Sequence, residues 1–313
     1  MNGLDTMQME TAIDGLVSKT REDIVRKSRT ILEEFAIDEY TEAIRHYPEF
    51  RNYFGVSSIV EDICTKILHK YNRQTLALYQ KLSLLMLMKQ SLKTLDIKGP
   101  PASIVNLCLD WFERVMADLS TKADDYYHHK SEPFIDDLCC CSLRTIPIGG
   151  AWMIETSAVK KKLLMTGGLR QFLDFVVFIV FRAGGFKPFY RIHTLKRYSG
   201  GFSAEDRVKC YLRITELLKQ YAEIKGVYVM GWFYDPRLVQ VSPSLAFLRE
   251  VPARNGAKLF RFGTTEHTIR FATAWSPERK KLYEEGKYTP TEYALIWPKK
   301  EMLDWAERQL KSH

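Results

Sequence analysis

The sequence predicts an α+β protein, with an all-helical region over residues 1–133 and a mixed-sheet domain over residues 134–313. Three observations predict this class. Apolar residues recur at three- and four-residue spacing in the N-terminal region, which is the helical period. After residue 134, short apolar runs alternate with single helical patterns, and such alternation is typical of helix-covered sheets. Hydrophobic residues make up 46% of the 313, which is enough to form buried cores.

The N-terminal region contains about four helical patterns, which cover residues 24–36, 59–68, 76–88 and 104–116. Proline or glycine interrupts them at Tyr47-Pro48, at Phe54-Gly55 and at Gly99-Pro100-Pro101. Residues 124–133 are polar and indicate a linker or long turn. The region therefore predicts a small helical bundle.

The sheet region predicts its elements in a clear order. A hairpin over residues 142–155 turns at Gly149-Gly150, and a strand follows at residues 189–195. A helix over residues 204–223 precedes an apolar run at 227–234, which is typical of a strand buried on both faces. The remaining predicted elements are a helix at 244–254, a strand at 257–262, a helix at 276–285 and a strand at 293–297.

The net charge of +8 is unevenly distributed along the chain. Residues 1–150 hold 18 basic and 22 acidic residues, whereas residues 151–313 hold 28 and 16, a net charge of +12. The basic half favours an anionic ligand or partner. Residues 1–19 lack an apolar run followed by a cleavage site, so we expect a cytoplasmic protein.

The six cysteines show no C-x-x-C pairs, and we expect reduced thiols. Cys139-Cys140-Cys141 follows His128-His129, yet three consecutive residues cannot easily converge on one metal ion. We therefore predict a buried strand or loop there, and no metal site.

The most apolar segment, residues 172–181, has about half the length that a membrane-spanning helix needs. It predicts a buried helix or strand. A surface that touches a membrane or lines an acyl-chain site is the alternative, because Lys160-Lys161-Lys162 lies just upstream and could contact anionic headgroups.

A glycine-containing segment over residues 197–203 lies between a predicted strand and a long helix. Adjacent glycines allow close approach of a ligand, and a helix start offers N–H groups to anions. We expect the anionic ligand to contact Arg197, Ser199, Gly200, Gly201 and Ser203. The alternative is a capped helix start after a glycine turn, with Ser203 as the cap and Asp206 three residues later. The segment matches neither a Walker A motif nor a G-x-G-x-x-G fingerprint.

Two segments within residues 142–298 resemble the GNAT acyltransferase superfamily. Arg197, Gly200 and Gly201 are similar to its Q/R-x-x-G-x-G/A loop, with Phe202 in place of the last small residue, although a second register would place residues 240–245 in that loop. Residues 276–288 are similar to the family's N-x-x-A-x-x-L-Y-E-x-x-G-F segment. The resemblance implies a sheet that splays two central strands around the donor's phosphopantetheine arm. It also implies that Tyr283 protonates the departing thiolate, as a phenol can.

A general base is also needed, and His193 suits it by its intrinsic pKa. Glu155 and the pair Glu266-His267 are other candidates. We therefore expect an acyltransferase that moves an acyl group from acyl-CoA or an acidic acyl carrier protein to an amine or hydroxyl acceptor. The alternatives are a basic nucleic-acid-binding protein, which is less favoured, and a peripheral membrane or lipid-binding protein.

Overall fold

The computed structural model describes residues 6–46, 56–122, 127, 131–195, 201–274 and 276–311. The chain forms two compact units, Met1–Ile148 and Gly149–His313. N-terminal helices precede a six-stranded mixed sheet, so the predicted combination of a helical region and a mixed sheet is confirmed. The predicted boundary at residue 133/134 falls within a helix of the first unit.

The described part of the first unit is helical until its last residues. Its helices are α1 (Thr6–Lys27), α2 (Ile31–Glu34), α3 (Ile37–Arg45), α4 (Ser58–Lys70), α5 (Arg73–Lys98), α6 (Ala102–Thr121) and α7 (Glu132–Cys141). The side chains of Ser57, Asn72 and Ser131 cap three of them by accepting a hydrogen bond from a backbone N–H. Helix α5 ends before Gly99, as the glycine and prolines there predict.

Helix α7 differs from two expectations about this unit. The cysteines 139–141 end α7 and are buried, so the predicted strand or loop is wrong. Ser131 and a proline in the first turn begin a helix where the sequence pattern alone indicated none. The interruption over residues 47–55, most of the proposed linker and His128-His129 lie outside the described residues.

The sheet has the order β1-β2-β3-β4-β6-β5. Its strands are β1 (Ile146–Gly149), β2 (Trp152–Ser157), β3 (Phe189–Thr194), β4 (Gly226–Gly231), β5 (Lys258–Gly263) and β6 (Glu292–Pro298). Strands β3 and β4 are parallel, whereas β2 and β3, β4 and β6, and β5 and β6 are antiparallel. The predicted hairpin and the later strands are present.

The helices of the second unit are α8 (Gly168–Val177), α9 (Ala204–Gln220), α10 (Leu238–Val241), α11 (Phe247–Arg254), α12 (Glu266–Thr273), α13 (Pro277–Glu284) and α14 (Lys299–Lys311). A short 3₁₀ turn at Lys161–Leu164 precedes α8, and a π-helical turn at Phe178–Arg182 continues it. The segment at residues 172–181 is therefore helical.

The predicted strand at residues 227–234 is shorter than expected. It ends at Gly231, and Trp232–Tyr234 form a 3₁₀ turn. The buried Asp235 stabilises this turn, because its carboxylate accepts hydrogen bonds from the backbone N–H groups of Arg237 (2.9 Å) and Thr291 (3.2 Å). Similarly, the helix predicted to start at residue 244 begins at Phe247, after a 3₁₀ turn.

Helices cover both faces of the sheet. On one face, α8 and its π-helical turn bury Phe175, Phe178 and Ile179 against Tyr228 and Phe260. On the other face, Tyr211 of α9 contacts the rings of Trp297 and Trp305 at centroid distances of 5.2 and 6.1 Å. The segments before and after β3 therefore lie on opposite faces of the sheet.

Candidate functional site

The parallel pair β3 and β4 separates at its carboxyl end. The two strands pair at Tyr190 with Val227 and at Arg191 with Tyr228. Beyond these positions β3 continues to Thr194 and β4 to Gly231 without further pairing to each other. We call the place where the two strands separate the β3–β4 opening.

His193 lies on β3 beside this opening and contacts Glu155 of β2. The Nε2 atom of His193 is 2.9 Å from Oε1 of Glu155. Since a carboxylate accepts, Nε2 carries the proton in this arrangement and the lone pair of the neutral ring is on Nδ1. Arg191 Nη1 lies 3.6 Å from the same carboxylate oxygen. Two residues that the sequence proposed as alternative bases thus form one hydrogen-bonded pair.

Burial lowers the pKa of His193 below its ordinary value of 6.5. The hydrogen bond to Glu155 acts in the opposite direction, and the positive charge of Arg191 adds to the lowering. The imidazole is therefore neutral at neutral pH and can accept a proton. Its orientation is set by Glu155, in the way that a carboxylate orients a catalytic histidine.

The helix α9 starts beyond this end of β3. Ser203 caps it, since its hydroxyl accepts from the N–H of Asp206 (3.1 Å) and donates to the Asp206 carboxylate (2.6 Å). Gly201 has a φ of +93°, which favours glycine. A Cβ at Gly201 would lie 3.6 Å from the Cα of Gly150. Arg197, Ser199 and Gly200 lie outside the described residues.

Phe202, which follows Gly201, packs against the sheet. Its ring stacks on Trp152 of β2 with a centroid distance of 5.0 Å and also contacts Phe247 edge-on at 5.6 Å. The aromatic side chain at this position therefore anchors the end of the segment to the sheet.

Arg207, in the first turns of α9, is a further candidate site residue, which the sequence analysis did not identify. Its guanidinium lies 4.1 Å from the ring centroid of Trp152, and it donates to the hydroxyls of Tyr211 (2.9 Å) and Tyr234 (3.1 Å). Only 1% of Arg207 is exposed, and its Nη1 has no hydrogen-bond partner among the described residues. A buried cation without a carboxylate partner is costly unless an anion is nearby.

The position of Arg207 in the sequence offered one indication of such a role. Arg207 follows the cap residue Ser203 by four positions, within the helix start that was proposed to bind an anion. However, only the fold shows that the side chain turns inward between aromatic rings.

The remaining predicted residues are less closely connected to the opening. Tyr283 is half-buried on α13, and the contacts described for it do not join it to His193 or Glu155. Glu266 and His267 are exposed at the start of α12, where the His267 ring packs on Phe271. Residues 240–245, the second loop register, form the end of α10 and a 3₁₀ turn. No group of three or more potential metal-ligating side chains occurs within the described ranges.

The first unit carries a separate groove, of about 500 Å³, between α1, α5 and α6. Lys19, Arg26, Lys27 and Lys81 line it together with Asp23. The two hydroxyls that line it, of Thr20 and Ser120, donate to the backbone carbonyls of Leu16 and Met116.

Comparisons with protein-family models, with curated proteins and with solved structures find no match to this chain.

Proposed function

We propose that the second unit is an acyltransferase, which moves an acyl group from acyl-CoA or an acyl carrier protein to an amine or hydroxyl. The observation that carries the proposal is the β3–β4 opening with the His193–Glu155 pair beside it. An opening between parallel strands can admit a narrow thioester arm, and a neutral, oriented imidazole can accept the proton of an attacking nucleophile.

In the proposed reaction the acyl group passes from the sulfur of the donor to the nitrogen or oxygen of the acceptor. The acceptor's nitrogen or oxygen attacks the thioester carbonyl, and a new C–N or C–O bond forms while His193 takes the acceptor's proton. The C–S bond then breaks, and the thiolate leaves with the bonding electron pair. A proton donor completes the thiol, and Tyr283 is the proposed donor, a role that requires it to reach the departing sulfur.

The charge distribution supports an anionic donor. The second half of the chain carries a net charge of +12, which favours the phosphates of coenzyme A or an acidic carrier protein. The guanidinium of Arg207, whose Nη1 has no hydrogen-bond partner among the described residues, lies within the helix start that follows β3. We propose that Gly201, Ser203 and Arg207, with Arg197, Ser199 and Gly200, form the anion-binding segment.

The strand arrangement also supports the resemblance to the GNAT superfamily. That resemblance implies two central strands that splay around the donor arm, with a loop and a helix between them. Here β3 and β4 separate after two paired positions, and α9 connects them.

Thermal unfolding in the presence of thioesters tests the proposal. Coenzyme A, acyl-CoA species of several chain lengths and acyl carrier protein are added separately, and mass spectrometry identifies any thioester or lipid retained by the purified chain. We expect a selective rise in Tm with at least one thioester, because a ligand that binds only the folded state stabilises it.

Absence of any shift, together with steeply salt-dependent binding to oligonucleotides, would contradict acyl transfer and favour a nucleic-acid-binding function.

A further inference from the structure

Seven of the thirteen large apolar side chains that are exposed in the described residues lie between residues 165 and 181. Met165 precedes α8, and the other six lie on α8 and its π-helical turn: Leu169, Phe172, Leu173, Val177, Val180 and Phe181. Their spacing of three to four residues places them on one side of the helix. We call these six residues the exposed stripe.

The opposite side of the same helix holds it on the sheet. Phe175, Phe178 and Ile179 are buried, and Phe175 contacts the Phe260 ring edge-on at a centroid distance of 4.8 Å. The helix is therefore apolar on both sides, although only one side packs within the unit. Phe181 is 80% exposed and Leu169 is 74% exposed, which is unusual for a water-facing surface of contiguous apolar groups.

Positive charge surrounds the exposed stripe. Residues 160–187 contain six basic residues and one acidic residue, Asp174. Asp174 is itself paired with Lys258 at 3.3 Å. Lys160-Lys161-Lys162 stands before the helix, and Lys160 and Lys162 each lie 5.3 Å from the Phe262 ring centroid. Apolar residues framed by cations are typical of helices that lie in the plane of an anionic membrane surface.

A second group of cations stands at the other end of the stripe. An open groove of about 640 Å³ is lined by Arg182, Lys225, Lys299 and Lys300, together with Glu223. Lys225 donates to the carbonyl of Gly184, and Lys299 donates to the carbonyl of Tyr221. Arg182 pairs with Glu301 and Lys300 with Asp304. The groove begins at Arg182, which directly follows Phe181 of the stripe.

We infer that the exposed stripe and its flanking cations bind the surface of a membrane that contains anionic lipids. A second copy of the chain fits the stripe less well than a membrane. A two-fold interface over the stripe would bring the same basic residues of both copies together, and their like charges would repel. A nucleic acid is also a poorer partner, since four of the six stripe residues are aliphatic and offer neither hydrogen bonds nor stacking to bases. None of the helices described in this chain is long and apolar enough to cross a bilayer. The contact is therefore a peripheral one, and it does not depend on acyl transfer.

Vesicle co-sedimentation tests this inference. The full chain is incubated with vesicles of phosphatidylcholine alone or of phosphatidylcholine mixed with phosphatidylglycerol, at low and high salt. We expect binding to the anionic vesicles, weaker binding at high salt and little binding to the neutral ones. Phe181→Glu should weaken binding on the order of tenfold, and Lys161→Gln with Lys162→Gln should weaken it about fivefold for each lysine.

Leu310→Glu is the matched control, because Leu310 is also exposed, at 65%, but lies at the end of α14. It should bind vesicles as the unchanged chain does. The inference is overturned if the unchanged chain does not sediment with anionic vesicles, or if Phe181→Glu and Leu310→Glu bind equally. It is also overturned if sedimentation velocity without lipid shows a dimer that Phe181→Glu dissociates, since the stripe would then be a subunit interface.

Discussion

Two phenylalanines of one helical segment should respond very differently to the same substitution. Phe175 is fully buried and contacts the rings of Phe186 and Phe260 edge-on, at 5.8 and 4.8 Å. Phe175→Ala removes these contacts and leaves a cavity, so it should lower the free energy of unfolding by about 3–5 kcal/mol. Phe181 is 80% exposed, and Phe181→Ala should change the free energy of unfolding by less than about 0.5 kcal/mol.

Urea unfolding followed by tryptophan fluorescence measures both values. Five of the six tryptophans lie in residues 149–313, so the signal reports mainly on the unit that contains the two phenylalanines. The difference between the two variants is the informative quantity, because both remove the same side chain. Equal destabilisation by the two substitutions would refute the reasoning, since Phe181 would then be packed rather than exposed on the stripe.

Three further predictions concern the proposed site residues His193, Gly201 and Tyr283. The lowered pKa of His193 means that the unfolded chain binds a proton more readily below about pH 6.5. The free energy of unfolding should therefore fall as the pH drops from there through the folded-state pKa, and His193→Gln should reduce that fall; identical pH profiles would contradict the burial of a neutral imidazole. Gly201→Val should weaken donor binding because φ is +93°, as titration calorimetry can measure, and an unchanged affinity would exclude this segment as the donor site. Tyr283→Phe should slow turnover about a hundredfold at unchanged donor affinity, whereas an unchanged rate would make Tyr283 a packing residue.

The sequence predicted the order of elements well where local signals were strong. The Gly149-Gly150 turn and the alternating runs around it predicted the hairpin, and the apolar spacing from residue 204 predicted α9. The end of β4 was missed because the apolar run continues through Trp232–Tyr234, and the turn there depends on Asp235 binding the N–H of Thr291, 56 positions later. Such a contact leaves no local pattern.

The site was predicted only in part, because the contacts between its residues also depend on parts of the chain that are distant in sequence. His193 and Glu155 were each recognised by residue type, yet their pairing depends on the register of β2 with β3, in which Met153 is opposite His193 and Glu155 is opposite Arg191. The position of Arg207 near the helix start could be read from the sequence, but its burial could not, because arginine is mostly exposed. Its burial depends on Trp152 and Tyr234, which the fold brings to it from distant parts of the chain. The segment at residues 172–181 was expected to be buried, and the structure shows that only one side of it is.

Calorimetric titration of a coenzyme A thioester into three forms of the protein tests the proposed donor site most directly. The forms are the unchanged chain, Arg207→Met and Lys209→Met, the last of which removes an exposed positive charge from the same helix and is the matched control. We predict that the unchanged chain and Lys209→Met bind alike, and that Arg207→Met binds at least on the order of tenfold more weakly. Equal binding by all three forms, or no binding by the unchanged chain, would contradict an anionic thioester donor at the start of α9.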